Sequence, residues 1–312
     1  MAVKVRVPAT TANLGPGFDS LGMALQLYNE IELEIMDQGL QFEVTGAGAD
    51  MIPATSENVI YKAVQYVFDQ LGRRRPGLKL RAHNAVPVTR GLGSSATAIV
   101  GGLAAANELC GRPLSADDLL ELAVAMEGHP DNVAAALFGG IVVSGKTGEK
   151  TRYVKLPVPQ DLVCVVVVPE VPLATKDSRK VLPTSVPFSD AVHNVNRVGL
   201  LVGALATGDL ETAGAAMDDV LHEPYRMSLI PGMDAAADAG RKAGALGVAL
   251  SGSGPSLIAF CRAGDEEPVG PAMTQAWAGA GLAAHSMVLR PDLRGAQVID
   301  IDASASLQPL TR

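Results

Sequence analysis

With 312 residues, 48% of them hydrophobic and 19% charged, the chain has room for one large domain or two ordinary ones around a sizeable core. A net charge of −8 argues against a polyanion backbone or an anionic membrane as partner, and aromatic residues at 4% are too few for a base-stacking platform. Cys110, Cys164 and Cys261 stand far apart without a Cys-x-x-Cys pair and read as reduced core thiols of a cytoplasmic protein. The first residues lack a signal-peptide apolar core, and no apolar run reaches membrane-spanning length. The five histidines form no His-Glu-x-x-His pair, which speaks against a zinc enzyme.

In chain order, Val3, Val5 and Val7 alternate with Lys4 and Arg6, which predicts a strand ended by Pro8. The loop from Ala9 to Asp19 is rich in Gly, Pro and small polar residues. It is longer than a strand connection needs, so Asn13 and Asp19 are either Asx caps of a wide turn or functional groups. Leu21 to Ile35 reads as extended and Leu40 to Val44 as a short strand. Ser56 is then expected to cap a helix whose apolar face runs from Val59 to Leu71, stopped by Gly72.

Between a strand-like run, Leu78 to Val88, and a helix-like run, Ala96 to Leu109, lies Pro87-Val-Thr-Arg-Gly-Leu-Gly-Ser-Ser-Ala-Thr97. Gly91 and Gly93 permit a tight turn and a close approach to a ligand, and Ser94 and Ser95 stand where the helix begins. Free N–H groups and the helix dipole would make this a phosphate site; a plain glycine turn with a serine cap is the alternative.

Ser115 opens a further helix with Asp118 in the capping-box position and Leu119, Leu120, Leu122, Ala123 and Met126 as its apolar stripe. On that helix Glu121 is either a surface acid or a carboxylate turned toward a phosphate-bound cation. Gly128-His-Pro-Asp-Asn132 is a sharp turn into a helix from Val133 to Leu137. Asp131 suits a cap there, yet His129, Asp131 and Asn132 gather three useful side chains in four residues. Gly140-Ile-Val-Val-Ser-Gly-Lys-Thr147 spells a Walker A motif, but the Ile-Val-Val-Ser between its glycines reads as a strand rather than a loop before a helix. A P-loop is therefore not expected.

Pro157 to Asp161 looks like a domain boundary, and Leu162 to Val168 like a strand buried on both faces. Ala174 to Arg179 reads as a polar loop carrying Thr175 and Arg179. Helices are expected over Asp190–Leu205, Leu210–Leu221 and Met233–Ala243. In the intervening Glu223-Pro-Tyr-Arg226, Arg226 is either a solvated cation or a bidentate carboxylate anchor. Two strands, Gly247 to Leu250 and Ser256 to Cys261, flank the glycine-rich Ser251-Gly-Ser-Gly-Pro255. A last helix near Glu267 to Ala278, strands near Ala283 to Val288 and Ala296 to Ile301, and a loose tail from Ala303 complete the reading.

Three stretches in this order resemble the GHMP kinase superfamily: Pro8-Ala-Thr-Thr-Ala-Asn-Leu-Gly-Pro-Gly-Phe-Asp19, Pro87-x-x-x-Gly-Leu-Gly-Ser-Ser-Ala96 and Ala249-Leu-Ser-Gly-Ser-Gly-Pro-Ser256. The first stretch with its following Leu-Gly-Met-Ala-Leu, and Glu127-Gly-His-Pro-Asp-Asn132, are similar to the homoserine kinase branch. The resemblance implies an α+β, two-domain GHMP kinase fold. Residues 1–160 would form an ATP-binding, ribosomal protein S5 domain 2-like half, and residues 161–312 a ferredoxin-like half.

It further implies ATP and Mg2+ as cofactors and L-homoserine as the small-molecule substrate, phosphorylated for threonine biosynthesis, in a possible homodimer. Pro87, Val88, Thr89, Arg90, Gly91, Leu92, Gly93, Ser94, Ser95, Ala96 and Thr97 would wrap the ATP phosphates, with Asn58 at the adenine and Ser95 and Glu121 on the magnesium. Asn13, Asp19, His129, Asn132, Thr175, Arg179 and Arg226 would bind substrate: Asp19 the amino group, Arg179 and Arg226 the carboxylate, Asn132 the reacting hydroxyl. Asn132 and Arg179 would be the catalytic residues. An amide takes no proton at neutral pH, so no protein base is expected and Asp131 becomes a support. Another GHMP small-molecule kinase, or a GHMP-fold sensor without catalysis, are the alternatives. A Rossmann fingerprint at Gly91 to Ala96 is disfavoured, because it comes late in the chain and lacks the acid after the next strand.

Overall fold

The computed structural model describes residues 1–302; the expected tail from Ala303 lies outside them. Seven strands form one sheet: β1 (Ala2–Ala12), β2 (Leu21–Met36), β3 (Leu40–Gly46), β4 (Gly77–Asn84), β5 (Ile141–Thr147), β6 (Lys150–Leu156) and β11 (Gln297–Asp302). Their order is β11-β1-β2-β4-β3, with β5 joining the end of β2 and β6 pairing β5; only β3 and β4 run parallel. Val3, Val5 and Val7 point inward with Ile31 and Leu33, against α1 (Val59–Gln70), α2 (Ser94–Leu109), α3 (Ala116–Glu127) and α4 (Asp131–Phe138).

The second sheet, β10-β7-β9-β8, is antiparallel throughout: β7 (Leu162–Pro169), β8 (Gly247–Leu250), β9 (Leu257–Arg262) and β10 (Ala284–Leu289). Its helices are α5 (Thr175–Lys180), α6 (Phe188–Thr207), α7 (Leu210–Ala215), α8 (Glu223–Arg226), α9 (Met233–Lys242) and α10 (Val269–Gly279). β7 is apolar on both faces for a packing reason. Val165 and Val167 meet α9 and α10 around Trp277, while Cys164, Val166 and Val168 share a core with Leu14, Leu25 and Leu92 from the first half. That shared core clamps the two halves together and leaves their loops facing one cavity.

Several local expectations change. Pro8 does not end β1; a register shift at Pro8/Ala9 absorbs the missing donor and the strand continues to Ala12. Asn58, not Ser56, caps α1 by accepting from the backbone N–H groups of Ile60 and Tyr61. Thr175 and Arg179 lie on a short helix, α5, rather than in a loop, and α7 stops at Ala215 instead of Leu221. β4 ends at Asn84, so Pro87 and Val88 belong to the loop. The Walker-like stretch is β5, hydrogen-bonded to both β2 and β6, which leaves it no phosphate-cradling loop. β11 leaves the second layer and pairs with β1, so the division at residue 160 does not follow sheet membership at the C-terminal end.

Candidate active site

A cavity of about 290 Å³ opens between the halves, with Met51, Ile52, Pro53 and Val59 at an apolar end and Asp19, His129, Asn132, Arg179 and Arg226 at a polar one. Between these ends runs the loop that enters α2. Gly93 caps the helix at φ 69°, and a Cβ there would lie 1.9 Å from Thr10 Oγ1; Gly91 has φ 74°, with Ser251 O 2.2 Å from the same position. Glycine is therefore required twice, once for conformation and once for contact. The loop carbonyls are tied back by the second glycine-rich turn: Ser251 Oγ donates to Gly91 O (2.7 Å) and Ser256 Oγ to Arg90 O (2.5 Å). The first-turn N–H groups of α2 have no intrahelical partner, and donors so placed suit an anion.

Not all of the expected loop faces the cavity. Val88, Thr89, Arg90, Gly91, Gly93, Ser94 and Ser95 line it, whereas Pro87, Leu92, Ala96 and Thr97 do not. Leu92 is packed in the shared core, and Thr97 Oγ1 accepts from Asn29 Nδ2 while donating to Ser94 O. These four shape the loop from behind. Asn58 borders the cavity, but most of its side chain is engaged: Oδ1 caps α1 and one Nδ2 hydrogen goes to Pro53 O at 2.9 Å. It braces this side of the cavity, and its Oδ1 already accepts from two backbone N–H groups.

The acid beside Ser95 is not the expected Glu121. Glu121 accepts from the backbone N–H (2.6 Å) and Oγ1 (3.1 Å) of Thr151, fastening β6 to α3. Glu127, six residues on and the last of α3, is the acid that meets Ser95, whose Oγ donates to Glu127 Oε2 at 2.7 Å. Six residues turn a helix by about 600°, so the two acids face different ways. Gly128, at φ 94°, ends α3 there and turns the chain into the His129–Asn132 segment.

At the polar end Asp131 Oδ1 receives His129 Nδ1 (2.6 Å), Asn132 N (2.7 Å) and Asn132 Nδ2 (3.2 Å), and Asn132 Oδ1 accepts from Thr10 Oγ1 (2.8 Å). The Asn132 amide is thus held in one orientation. Burial works to lower the His129 pKa, but the hydrogen bond and charge of Asp131 outweigh it and raise it. Asn13 and Asp19 both have left-handed backbone (φ 71° and 54°); Asn13 Oδ1 accepts from Asp19 N, and Asn13 Nδ2 donates to Gly252 O. Thr175 Oγ1 lies 3.1 Å from Ser253 Oγ.

Two arginines complete this end. Arg179 grips Asp19 bidentately, Nη2 to Oδ1 at 2.6 Å and Nη1 to Oδ2 at 3.0 Å. Arg226, 1% exposed, contacts His222 Nδ1, Ser178 O and Gly252 O, none of them an anion. Burial, then the charge of Arg179, push its pKa down to about 10. Phe18 lies beneath both guanidinium groups, its ring centroid 5.4 Å from Arg179 Cζ and 5.3 Å from Arg226 Cζ. The sequence reading missed Phe18, Glu127, Thr10 and Ser253 as site residues. Thr10 and Phe18 belong to the loop it singled out, Glu127 adjoins Gly128, and Ser253 sits in the second glycine turn.

Beside Arg226, Glu223 Oε1 accepts from Leu250 N at 2.6 Å, and burial pushes its carboxyl up to about 8. The folded value exceeds the ordinary one, so the stability of the protonated form is complete below the unfolded pKa and is lost as pH rises through about 8. Glu223→Gln keeps an acceptor that cannot ionise. Its melting temperature should match the wild type near pH 5 and exceed it by several degrees at pH 9. An equal offset at both pH values would show that burial does not hold the proton there.

Family models for the GHMP kinases N terminal domain and the GHMP kinases C terminal region match residues 58–140 and 201–284. A homoserine kinase of Carboxydothermus hydrogenoformans is 51% identical over 94% of this chain and 96% of its own length, and one of Moorella thermoacetica 50% identical over 95% and 99%. The chain belongs to the homoserine kinase family of GHMP kinases. In three dimensions it is similar to a crystal structure of homoserine kinase from Cytophaga hutchinsonii, with a TM-score of 0.88, 34% identity and coverage of 96% of this chain and 97% of that one. The fold alone extends to a mevalonate kinase of L. major solved with R-mevalonate, at a TM-score of 0.71 and 21% identity. Among the described residues no helix of this family member is long and apolar enough to cross a membrane.

Proposed function

We propose that the protein transfers the γ-phosphoryl group of ATP to the side-chain hydroxyl of L-homoserine, giving O-phospho-L-homoserine and ADP on the route to threonine. The observation that carries this reading is a buried guanidinium, Arg226, that meets no anion among the described residues and lines the same cavity as the open N-terminus of α2. The polar end offers a carboxylate partner, and the α2 loop beside it offers backbone N–H groups to phosphates.

The free side chains match the substrate's own charges. Arg179 and Asp19 neutralise each other in the ligand-free cavity. A zwitterionic amino acid can enter that pair, its ammonium on Asp19 and its carboxylate on Arg179 and Arg226, without leaving a charge unpaired. Asn132, fixed by Thr10 and Asp131, then directs the hydroxyl toward the α2 N-terminus. The reaction forms a bond from the homoserine oxygen to the γ-phosphorus and breaks the bond to the β–γ bridging oxygen. Asp131 is occupied in orienting His129 and Asn132, so positioning and charge stabilisation carry the reaction and the hydroxyl proton leaves with the phosphate or to solvent.

Ser95 Oγ and the Glu127 carboxylate, two oxygen donors 2.7 Å apart beside the phosphate site, fit Mg2+, which binds through oxygens and keeps several waters. When bound, the ion neutralises charge on the β- and γ-phosphates. The apolar end with Met51, Ile52 and Val59 fits an adenine face.

The test is ADP release from MgATP with L-homoserine, L-serine, mevalonate and galactose offered separately. Turnover with homoserine alone is expected. Turnover only with mevalonate or galactose would discard the substrate assignment, and silence with all four would discard the kinase reading.

Two finer points belong to the same reading. The three cysteines are buried free thiols, which supports a reducing cytoplasmic setting. A homodimer through α6 is supported by an exposed apolar stripe, Phe188 (84% exposed), Val192, Val195 (68%) and Leu200, beside Gly199 and Gly203 with open space above them. The double variant Phe188→Glu, Val195→Glu is expected to sediment at half the wild-type mass at micromolar concentration. Equal masses would remove α6 as the interface.

A further inference from the structure

His222 precedes α8 and is fully buried, with a hydrogen-bond partner at each ring nitrogen. Nδ1 lies 2.9 Å from Arg226 Nη1, and Nε2 lies 2.8 Å from Gly15 O. A guanidinium has five donors and no acceptor, so Nδ1 must accept. A neutral ring then carries its one hydrogen on Nε2, the nitrogen that faces a carbonyl. Both contacts demand the same tautomer, and a ring protonated at both nitrogens would aim an N–H at the arginine.

We propose that His222 is a positioning residue that selects carboxylate-bearing substrates. As a neutral imidazole it accepts from Arg226 and donates to Gly15, fixing the guanidinium relative to the loop that carries Asp19. The proposal rests on the reading of Arg226 as the carboxylate anchor.

The surroundings hold the ring in this role. His222 N donates to Asp219 Oδ2 (2.8 Å), and Asp219 also takes Asn194 Nδ2 (2.7 Å) and Glu223 N (2.7 Å), so the backbone at His222 is anchored to α6. Phe18 stacks on the imidazole at 5.0 Å between centroids. At Gly15 a Cβ would fall 2.1 Å from Met217 O, which shows how closely this loop seats on the segment leading to His222.

Burial first, and Arg226 with it, disfavour the imidazolium, against the opposing pull of Asp219, the Gly15 carbonyl and Asp19; the balance lowers the pKa and keeps the ring neutral. One side chain thereby ties the carboxylate end of the substrate site, in the second half of the molecule, to its amine end in the first. Without it Arg226 keeps only its two longer contacts, at 3.4 Å to Ser178 O and Gly252 O.

The test compares His222→Gln with His222→Asn. A glutamine amide reaches the Nε2 position and preserves the Gly15 contact while leaving Arg226 without its acceptor; an asparagine amide oxygen sits at the Nδ1 level and restores it. His222→Gln is expected to raise KM for L-homoserine about tenfold, the loss of one charge-assisted hydrogen bond, with KM for MgATP within about twofold.

The preference for L-homoserine over aminopropanol, which has the same amine and hydroxyl but no carboxylate, should shrink by the same factor. His222→Asn should recover most of both. An equal loss of kcat on the two alcohols in both variants, with KM and preference unchanged, would reduce His222 to a structural residue and overturn the proposal. NMR of isotopically labelled histidine in the wild type needs no variant: an Nδ1–H tautomer or an imidazolium at neutral pH would overturn it as well. A wild type inactive on homoserine would instead sink the proposed reaction, so the two failures are distinguishable.

Discussion

Glu127→Gln is expected to lower kcat on the order of 100-fold, whereas Glu121→Gln leaves it within about threefold. Both acids lie on α3, but only Glu127 meets Ser95 at the mouth of the phosphate loop. Replacing its carboxylate by an amide removes the negative charge that the proposed magnesium site would use, and should raise the Mg2+ concentration for half-maximal activity. Glu121 spends its oxygens on Thr151, so its substitution weakens the α3–β6 attachment, at a cost of about 1 kcal/mol in stability. Steady-state kinetics over a magnesium titration, with thermal melts of both variants, separate the two effects. If Glu121→Gln abolished turnover and Glu127→Gln did not, the pairing of Ser95 with Glu127 would be a resting contact without a role in metal binding.

Arg226→Met should raise KM for L-homoserine by about 100-fold or more and leave KM for MgATP nearly unchanged. The guanidinium is buried, pairs with no anion among the described residues, and is pushed down to about 10 in pKa, so a carboxylate entering the cavity gains a desolvated partner. Methionine follows the arginine stem without its charge. Removing an uncompensated buried charge offsets the lost hydrogen bonds to His222, Ser178 and Gly252, and the melting temperature should move by no more than about 3 °C. Aminopropanol turnover is the internal control, because it has no carboxylate to lose and should be unaffected. An unchanged KM for homoserine would mean that Arg179 alone holds the carboxylate.

Much of the scaffold is written locally. Alternation at Val3, Val5 and Val7 gives β1 its inward face, and the unbroken apolar run of β7 reflects cores on both sides of it. The phosphate loop is equally legible, because Gly91 and Gly93 are needed at positive φ wherever the chain makes this turn into a helix. The Ser115–Asp118 capping box and the strand character of the false Walker motif follow from neighbours within a few residues. The residues proposed to bind substrate were reached through family resemblance, and Asn13, Asp19, His129, Asn132, Thr175, Arg179 and Arg226 all line the cavity.

The sequence by itself determined most of the longer strands and helices, the glycine loop at the start of α2, and the family, though not the short helices α5 and α8. Only the tertiary structure decided which of two acids on α3 faces Ser95, since that depends on how the helix is rotated against α2 and β6. It decided that Asn58 caps α1, that Arg179 closes on Asp19 across 160 positions, that β11 returns to β1, and that His222 stands behind Arg226. The Arg179–Asp19 and β11–β1 contacts join segments whose separation in sequence carries no trace in local periodicity, while the Asn58 cap and the His222–Arg226 contact are local pairings whose geometry is set by the packing around them. Hydrogen-bond partners for buried polar groups are chosen by what the packed core leaves within about 3 Å, and that is set only when the two halves close on their shared core.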